Sequence, residues 1–206
     1  METEGFLTHL GQHIPSGASA LIAPLIEGFN FSLMVTNERK TKHGDYRFPM
    51  RSSDPHKISV NGTLNKYAFL LTFLHEIAHM HAFEKYGKRI KPHGTQWKRT
   101  FTKIARPFLK SKMWPEDITE VLQNYFVNPK ASSAGDLALT RVLRSYDEIQ
   151  DLYLEDLDLG AAFYIGGPSG RLFEKGIKRR TRYLCKELGT RREFTIHGMA
   201  KVFIED

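Results

Sequence analysis

The stretch LNKYAFLLTFLHEIAHMHAFEKY, residues 64–86, limits the possible folds of this chain more than any other. It reads as one long helix stopped by Gly87. Leu70, Leu71, Phe73, Leu74, Ile77 and Ala78 put apolar side chains on most of its circumference. A helix that is apolar nearly all round belongs in a core, so the neighbouring segments have to wrap it. With 206 residues, the chain can build one well-packed domain and a small appendage.

The flanking segments supply the wrapping. Residues 5–28 read as two short helices broken at HIPSGAS, with Pro24 a kink and Gly28 a stop. FNFSLMVTN alternates as a half-buried strand, Gly44-Asp45 suggests a hairpin turn, and HKISVNG adds a strand ended by Asn61-Gly62. After Gly87, residues 95–105 fit a second helix through Trp97, Phe101 and Ile104. PEDITEVLQNYF and GDLALTRVLRSYDEIQ fit two more, with VNPKASSAG as the loop between them. Past Leu159 the texture changes to short aromatic and β-branched pieces separated by glycines, which predicts a small antiparallel β unit. The expected organisation is an α+β core over 1–128 with a small antiparallel sheet, a loop and helical connector over 129–158, and a β unit over 159–206.

The core helix carries chemistry as well as bulk. His75 and His79 stand four residues apart, so both imidazoles project from one face and can reach one ion. Glu76 lies at the edge of that face, where it can move a proton to and from a water. This is the H-E-x-x-H arrangement of zinc hydrolases. Left without a metal, two histidines in so apolar a helix carry a polar cost.

A third ligand has to come from elsewhere. His81 and Glu84 are rotated away from His79, and no Asp or Glu occurs between Glu84 and Glu116. His93, just ahead of the second helix, is the good ligand in that stretch. The expected set is therefore His75, His79 and His93, holding one Zn2+ per chain with a water in the fourth position, and His43 and His56 in reserve. Zinc brings the pKa of such a water to about 7, so Glu76 can act as general base and then general acid in amide hydrolysis. An extended peptide would lie along an exposed edge of the preceding strands, with Tyr46 and Arg47 as candidate oxyanion contacts.

Charge adds a second theme. The formal net charge is +7, and the carboxylate-free stretch concentrates Lys88, Arg89, Lys91, Lys98 and Arg99. Arg179, Arg180 and Arg182 form a second cluster. Such clusters suit phosphate contacts, so a nucleic-acid partner is expected. The lone Cys185 excludes an intramolecular disulfide and a four-cysteine zinc site. Neither a signal peptide nor an apolar stretch of about 18 residues is visible, so a cytoplasmic protein without a membrane span is expected; a monomer is the expected state.

At LHEIAHMHA followed by HGTQWKRTF the chain resembles the SprT-like metalloprotease family, which includes Spartan-type members. ERKTKHGDYR and ISVNGTL extend the resemblance to roughly residues 30–110. It implies a zincin-like core, with His75, His79 and His93 as zinc ligands and Glu76 as catalytic glutamate. It also implies a peptidase acting on DNA-bound or DNA-crosslinked proteins. In one respect the chain departs from the family pattern. Many members end in a zinc ribbon with four cysteines, whereas here the C-terminal unit has Cys185 alone. The alternative is a nucleic-acid-associated binding protein whose metal site is vestigial or regulatory.

Overall fold

The computed structural model describes residues 3–37, 42–130, 135–149 and 151–205. The chain divides into two compact units, Met1–Glu148 and Ile149–Asp206. The architecture is mixed α+β, with small sheets in both units.

In the first unit the helices α1 (Thr3–Leu10) and α2 (Ala18–Ile26) precede three strands, β1 (Phe31–Thr36), β2 (Gly44–Arg47) and β3 (His56–Asn61). The core helix α3 (Lys66–Tyr86) follows, then α4 (Thr95–Leu109), α5 (Glu116–Tyr125) and α6 (Leu137–Arg144). Phe69, Leu70, Phe73, Leu74, Ile77, Ala78, Met80 and Ala82 of α3 are all buried, so every side of this helix meets protein. Each large apolar side chain so buried contributes roughly 1.5–3 kcal/mol.

Asn65 starts the helix. Its side-chain oxygen accepts from the N–H groups of Tyr67 (3.1 Å) and Ala68 (3.0 Å). Its amide nitrogen donates to Leu143 O (2.8 Å) and Asp147 Oδ1 (2.6 Å), tying the end of α6 to the start of α3.

The sheet is mixed, which corrects the expected antiparallel one. Its order is β1-β3-β2, with β1 and β3 parallel (Phe31 opposite His56) and β2 antiparallel to β3. Burial explains the order. β3 turns His56, Ile58 and Val60 wholly inward and takes the centre, whereas the short, polar GDYR is suited to an edge. Gly44-Asp45 is accordingly the start of β2 and not a hairpin turn.

The expected connector over 129–158 is shared between the units. Leu139 and Leu143 of α6 are buried in the first core, and Leu154 belongs to the second. Residues 131–134, at the centre of the loop considered above, lie outside the described residues. The second unit has a single 3-10 turn (Leu154–Asp156) and an antiparallel sheet ordered β4 (Ala162–Ile165), β5 (Arg171–Arg179), β6 (Arg182–Glu187), β7 (Glu193–His197). The last expected strand makes only single bridges, Lys201 to Tyr153 and Phe203 to Tyr164. Cys185 is fully buried beside Phe163 and Phe173. Nearby, the buried Lys175 ammonium donates to the carbonyls of Glu155 and Leu157 and lies 4.3 Å from the centre of the Tyr183 ring. Those contacts satisfy a cation that would otherwise be costly to bury.

Candidate metal centre

Helical spacing sets up the first half of the site. His75 and His79 rise from one face of α3, and their Nε2 atoms are 3.2 Å apart. The third imidazole arrives from the loop between α3 and α4. His93 Nε2 is 3.1 Å from His75 Nε2 and 2.9 Å from His79 Nε2. The backbone of His93 is left-handed, at φ 57, a conformation costing a non-glycine residue roughly 1–2 kcal/mol. A strained residue that completes a side-chain triangle points to a functional constraint.

Burial and proximity fix the protonation of the triangle. Burial first, then His79 and His93, hold the His75 pKa down at about 2. Burial and then His93 bring His79 to about 3. His93 is lowered as well, by burial and then by Lys98. All three are neutral at pH 7, the form that ligates a metal. Where the Nε2 atoms carry no proton, their lone pairs converge and repel one another, an arrangement that a cation relieves. The separations are close to the roughly 3.3 Å expected between nitrogens bound tetrahedrally at 2.0–2.1 Å. The three residues form the one metal-capable cluster of His, Cys, Asp and Glu among the described residues.

The rings are held from behind by α4. Trp97 is fully buried, with its ring 4.5 Å, 5.1 Å and 4.7 Å from those of His75, His79 and His93. Phe101 adds an edge contact to His75 at 5.4 Å. Trp97 Nε1 is the one buried side-chain polar atom without a hydrogen-bond partner among the described residues. Its cost, about 1–3 kcal/mol, is accepted where the indole is needed as a packing plate for three imidazoles.

In front, β2 runs alongside α3 in the same direction. Gly44 meets Thr72 and Glu76, Tyr46 stacks on His79 (5.9 Å, planes 6° apart), and Phe48 stacks on Phe83 (5.2 Å, 10°). Steps of two along the strand thus match steps of three and four along the helix. Glu76 is 6% exposed and lines the same cavity, of about 630 Å3, as the three histidines. A Cβ at position 44 would stand 2.5 Å from Glu76 Oε1 and 2.7 Å from Thr72 Cγ2. Only glycine lets the strand pass this close to the carboxylate.

The remaining candidates lie elsewhere. His56, held in reserve as a ligand, is buried and engaged at both nitrogens, with Tyr46 OH 2.9 Å from Nδ1 and Glu84 Oε1 3.0 Å from Nε2. The carboxylate selects the tautomer with N–H at Nε2, so the Tyr46 hydroxyl donates to Nδ1. His43 lines the cavity but is not in the triangle. His81 donates to Leu25 O at 2.7 Å, the hydrogen-bonding role that helix geometry gave it. Lys88, Arg89, Lys91 and Arg99 are exposed, and Lys98 donates to Asn128 Oδ1 at 2.6 Å. Arg179, Arg180 and Arg182 are exposed around the β5–β6 turn, where Arg180 has φ 56. Sequence reasoning missed the Tyr46–His56–Glu84 line, the plate of Trp97 and the clearance at Gly44. The spacing 44/46/48 against 72/76/79/83 carried the signal for the last.

No curated protein and no solved structure matches the chain. Residues 25–119, the stretch that carries the histidine triangle, Glu76, Tyr46 and Trp97, match the model of the SprT-like family, so over that stretch the chain is similar to SprT-like proteins.

Proposed function

We propose that the chain is a zinc-dependent endopeptidase of zincin type. One observation carries the reading. Three neutral imidazoles converge beside the buried Glu76 in a cavity bordered by an edge strand of the sheet. Zinc held by His75, His79 and His93 would supply a water of pKa about 7 and polarise a peptide carbonyl. Glu76 takes the proton of the attacking water and returns it to the departing amine nitrogen. Burial keeps that carboxylate in place, and the clearance at Gly44 leaves it room. β2, at the edge of the sheet order, offers its outer backbone groups to an extended substrate. Tyr46 is not the oxyanion donor considered above, because its hydroxyl proton is committed to His56.

DNA is proposed as a partner, and DNA-bound or crosslinked proteins as substrates. The exposed Lys88, Arg89 and Lys91 support this, since they lie on the loop that delivers His93. No helix among the described residues is long and apolar enough to cross a membrane. A cytoplasmic monomer is part of the proposal.

Gently purified protein should contain about one zinc per chain. Glu76→Gln should keep that zinc and lose cleavage of unfolded and DNA-bound proteins, with DNA present. A zinc-free preparation, or equal behaviour of the two proteins across substrates, overturns the peptidase reading. The second outcome favours a binding protein.

A further inference from the structure

We propose that Tyr46, Phe48 and Phe83 form a specificity pocket for a bulky apolar side chain, such as Leu, Met, Phe or Tyr, of an extended peptide paired with β2. This inference rests on the peptidase reading and adds the substrate class to it. The wall begins at the metal triangle, where Tyr46 stacks on His79, and continues outward through the Phe48–Phe83 stack. Ile90 and Pro92, from the loop that delivers His93, line the same cavity.

The polar atoms of this wall point away from the cavity. The Tyr46 hydroxyl is tied to His56, and His56 in turn to Glu84. Tyr46 lines the cavity, whereas His56 and Glu84 do not. The ring therefore shows carbon to a ligand and is braced against rotation. Edge contact between Phe83 and His56 (5.7 Å, 80°) braces the next ring in the same way. Lys42, Asp45 and Lys88 line the cavity too, so charge is present beside the apolar wall. Asp45, the acidic residue of β2, is engaged by Lys42 at 2.8 Å and Arg47 at 3.0 Å.

Phe48 is 43% exposed although it is stacked, so its outer face is apolar surface left open beside a polar centre. A peptide paired with the edge of β2 points every second side chain to the same face as Tyr46, and Phe48 follows directly after the strand. One of those side chains then covers the wall. The occupant is a peptide segment because the wall is continuous with both the strand edge and the metal triangle.

The test uses full-length, zinc-loaded protein and amino-acid hydroxamates with a blocked amine, which bind a metal without turnover. In calorimetry, the leucine and phenylalanine hydroxamates should bind about tenfold or more tightly than the glycine hydroxamate. Phe48→Ala, at a partly exposed position, should erase most of that advantage and leave glycine hydroxamate binding unchanged. Phe48→Leu should restore part of it. Equal affinities along the series, preference for an aspartate or lysine side chain, or no binding at all overturns the pocket. Cut sites mapped in an unfolded protein separate the two ideas. Cleavage without an apolar preference removes the pocket and keeps the peptidase. An apolar preference among hydroxamates in a protein that cleaves nothing does the reverse.

Discussion

His93 sits where its backbone does not belong. At φ 57 it would be more comfortable as glycine or asparagine, and its imidazole is what the position provides. Removing the ring should therefore separate stability from metal binding. His93→Asn is expected to leave the metal-free protein as stable as the wild type, or up to about 1 kcal/mol more stable, because asparagine tolerates the left-handed region. Metal affinity should fall by more than the roughly 10–100-fold typical of losing an outer-shell partner. Thermal denaturation with chelator and with zinc measures both, and a metal-free variant well below wild type would mark His93 as structural. The other two histidines give a pH dependence. His75 and His79 are depressed to about 2 and 3 in the folded chain, against about 6.5 when unfolded. Between those values the unfolded state binds more protons, so the metal-free protein is at full stability above pH about 6.5 and loses it as the pH falls toward 3. Each group contributes a slope of up to about 1.4 kcal/mol per pH unit. Denaturant midpoints of chelated protein at neutral and mildly acidic pH check this, and a flat profile would contradict it.

At the scale of elements, the site is the meeting of one helix and one short strand. Gly44 sets how closely β2 approaches α3, and its missing Cβ is the space that Glu76 occupies. Gly44→Ala should displace the carboxylate while sparing the three imidazoles. The expected result is unchanged zinc content with turnover reduced on the order of 100-fold, since an error of about 1 Å can cost that much. Zinc content lost together with activity would show that β2 supports the whole centre instead. These two elements also show what a sequence makes legible. α3 could be read with its ligands in register because helical contacts are local and the face repeats every three to four residues. His93 could be found because it is the ligand type available in a stretch free of carboxylates. Gly44-Asp45 reads as a turn between two strands because Gly and Asp favour turns, and nothing local says that the partner of Tyr46 is Ile58. The parallel pairing of β1 with β3 and the line from Tyr46 through His56 to Glu84 join separate elements. No spacing rule reaches across such gaps.

For the molecule as a whole, the question is how much of the chain the metal centre needs. All of its residues fall in the first unit, and the second has its own buried cluster of Leu154, Phe163, Phe173, Tyr183, Cys185 and Val202. The matched family segment ends at residue 119, yet the packing extends further. α6 buries Leu139 and Leu143 in the first core, and Asn65, the cap of α3, donates to Leu143 O and Asp147 Oδ1. A chain cut after Glu148 keeps these interactions. One cut after Asn128 loses two buried leucines, each worth roughly 1.5–3 kcal/mol, and strips the cap amide of its partners. The 1–148 fragment should fold cooperatively and bind one zinc with the affinity of the full chain. The 1–128 fragment should be several kcal/mol less stable, or unfolded, against the usual margin of about 5–15 kcal/mol. Calorimetric melting with and without zinc measures both. The same 1–148 fragment apportions the basic surface, because Lys88, Arg89, Lys91 and Arg99 stay while Arg179, Arg180 and Arg182 go. Each duplex phosphate that the fragment no longer neutralises lowers the salt slope of DNA binding by about 0.9. A slope shallower by about two to three units in 1–148 would place the three arginines of the second unit on DNA. An unchanged slope would confine DNA to the surface beside the metal centre.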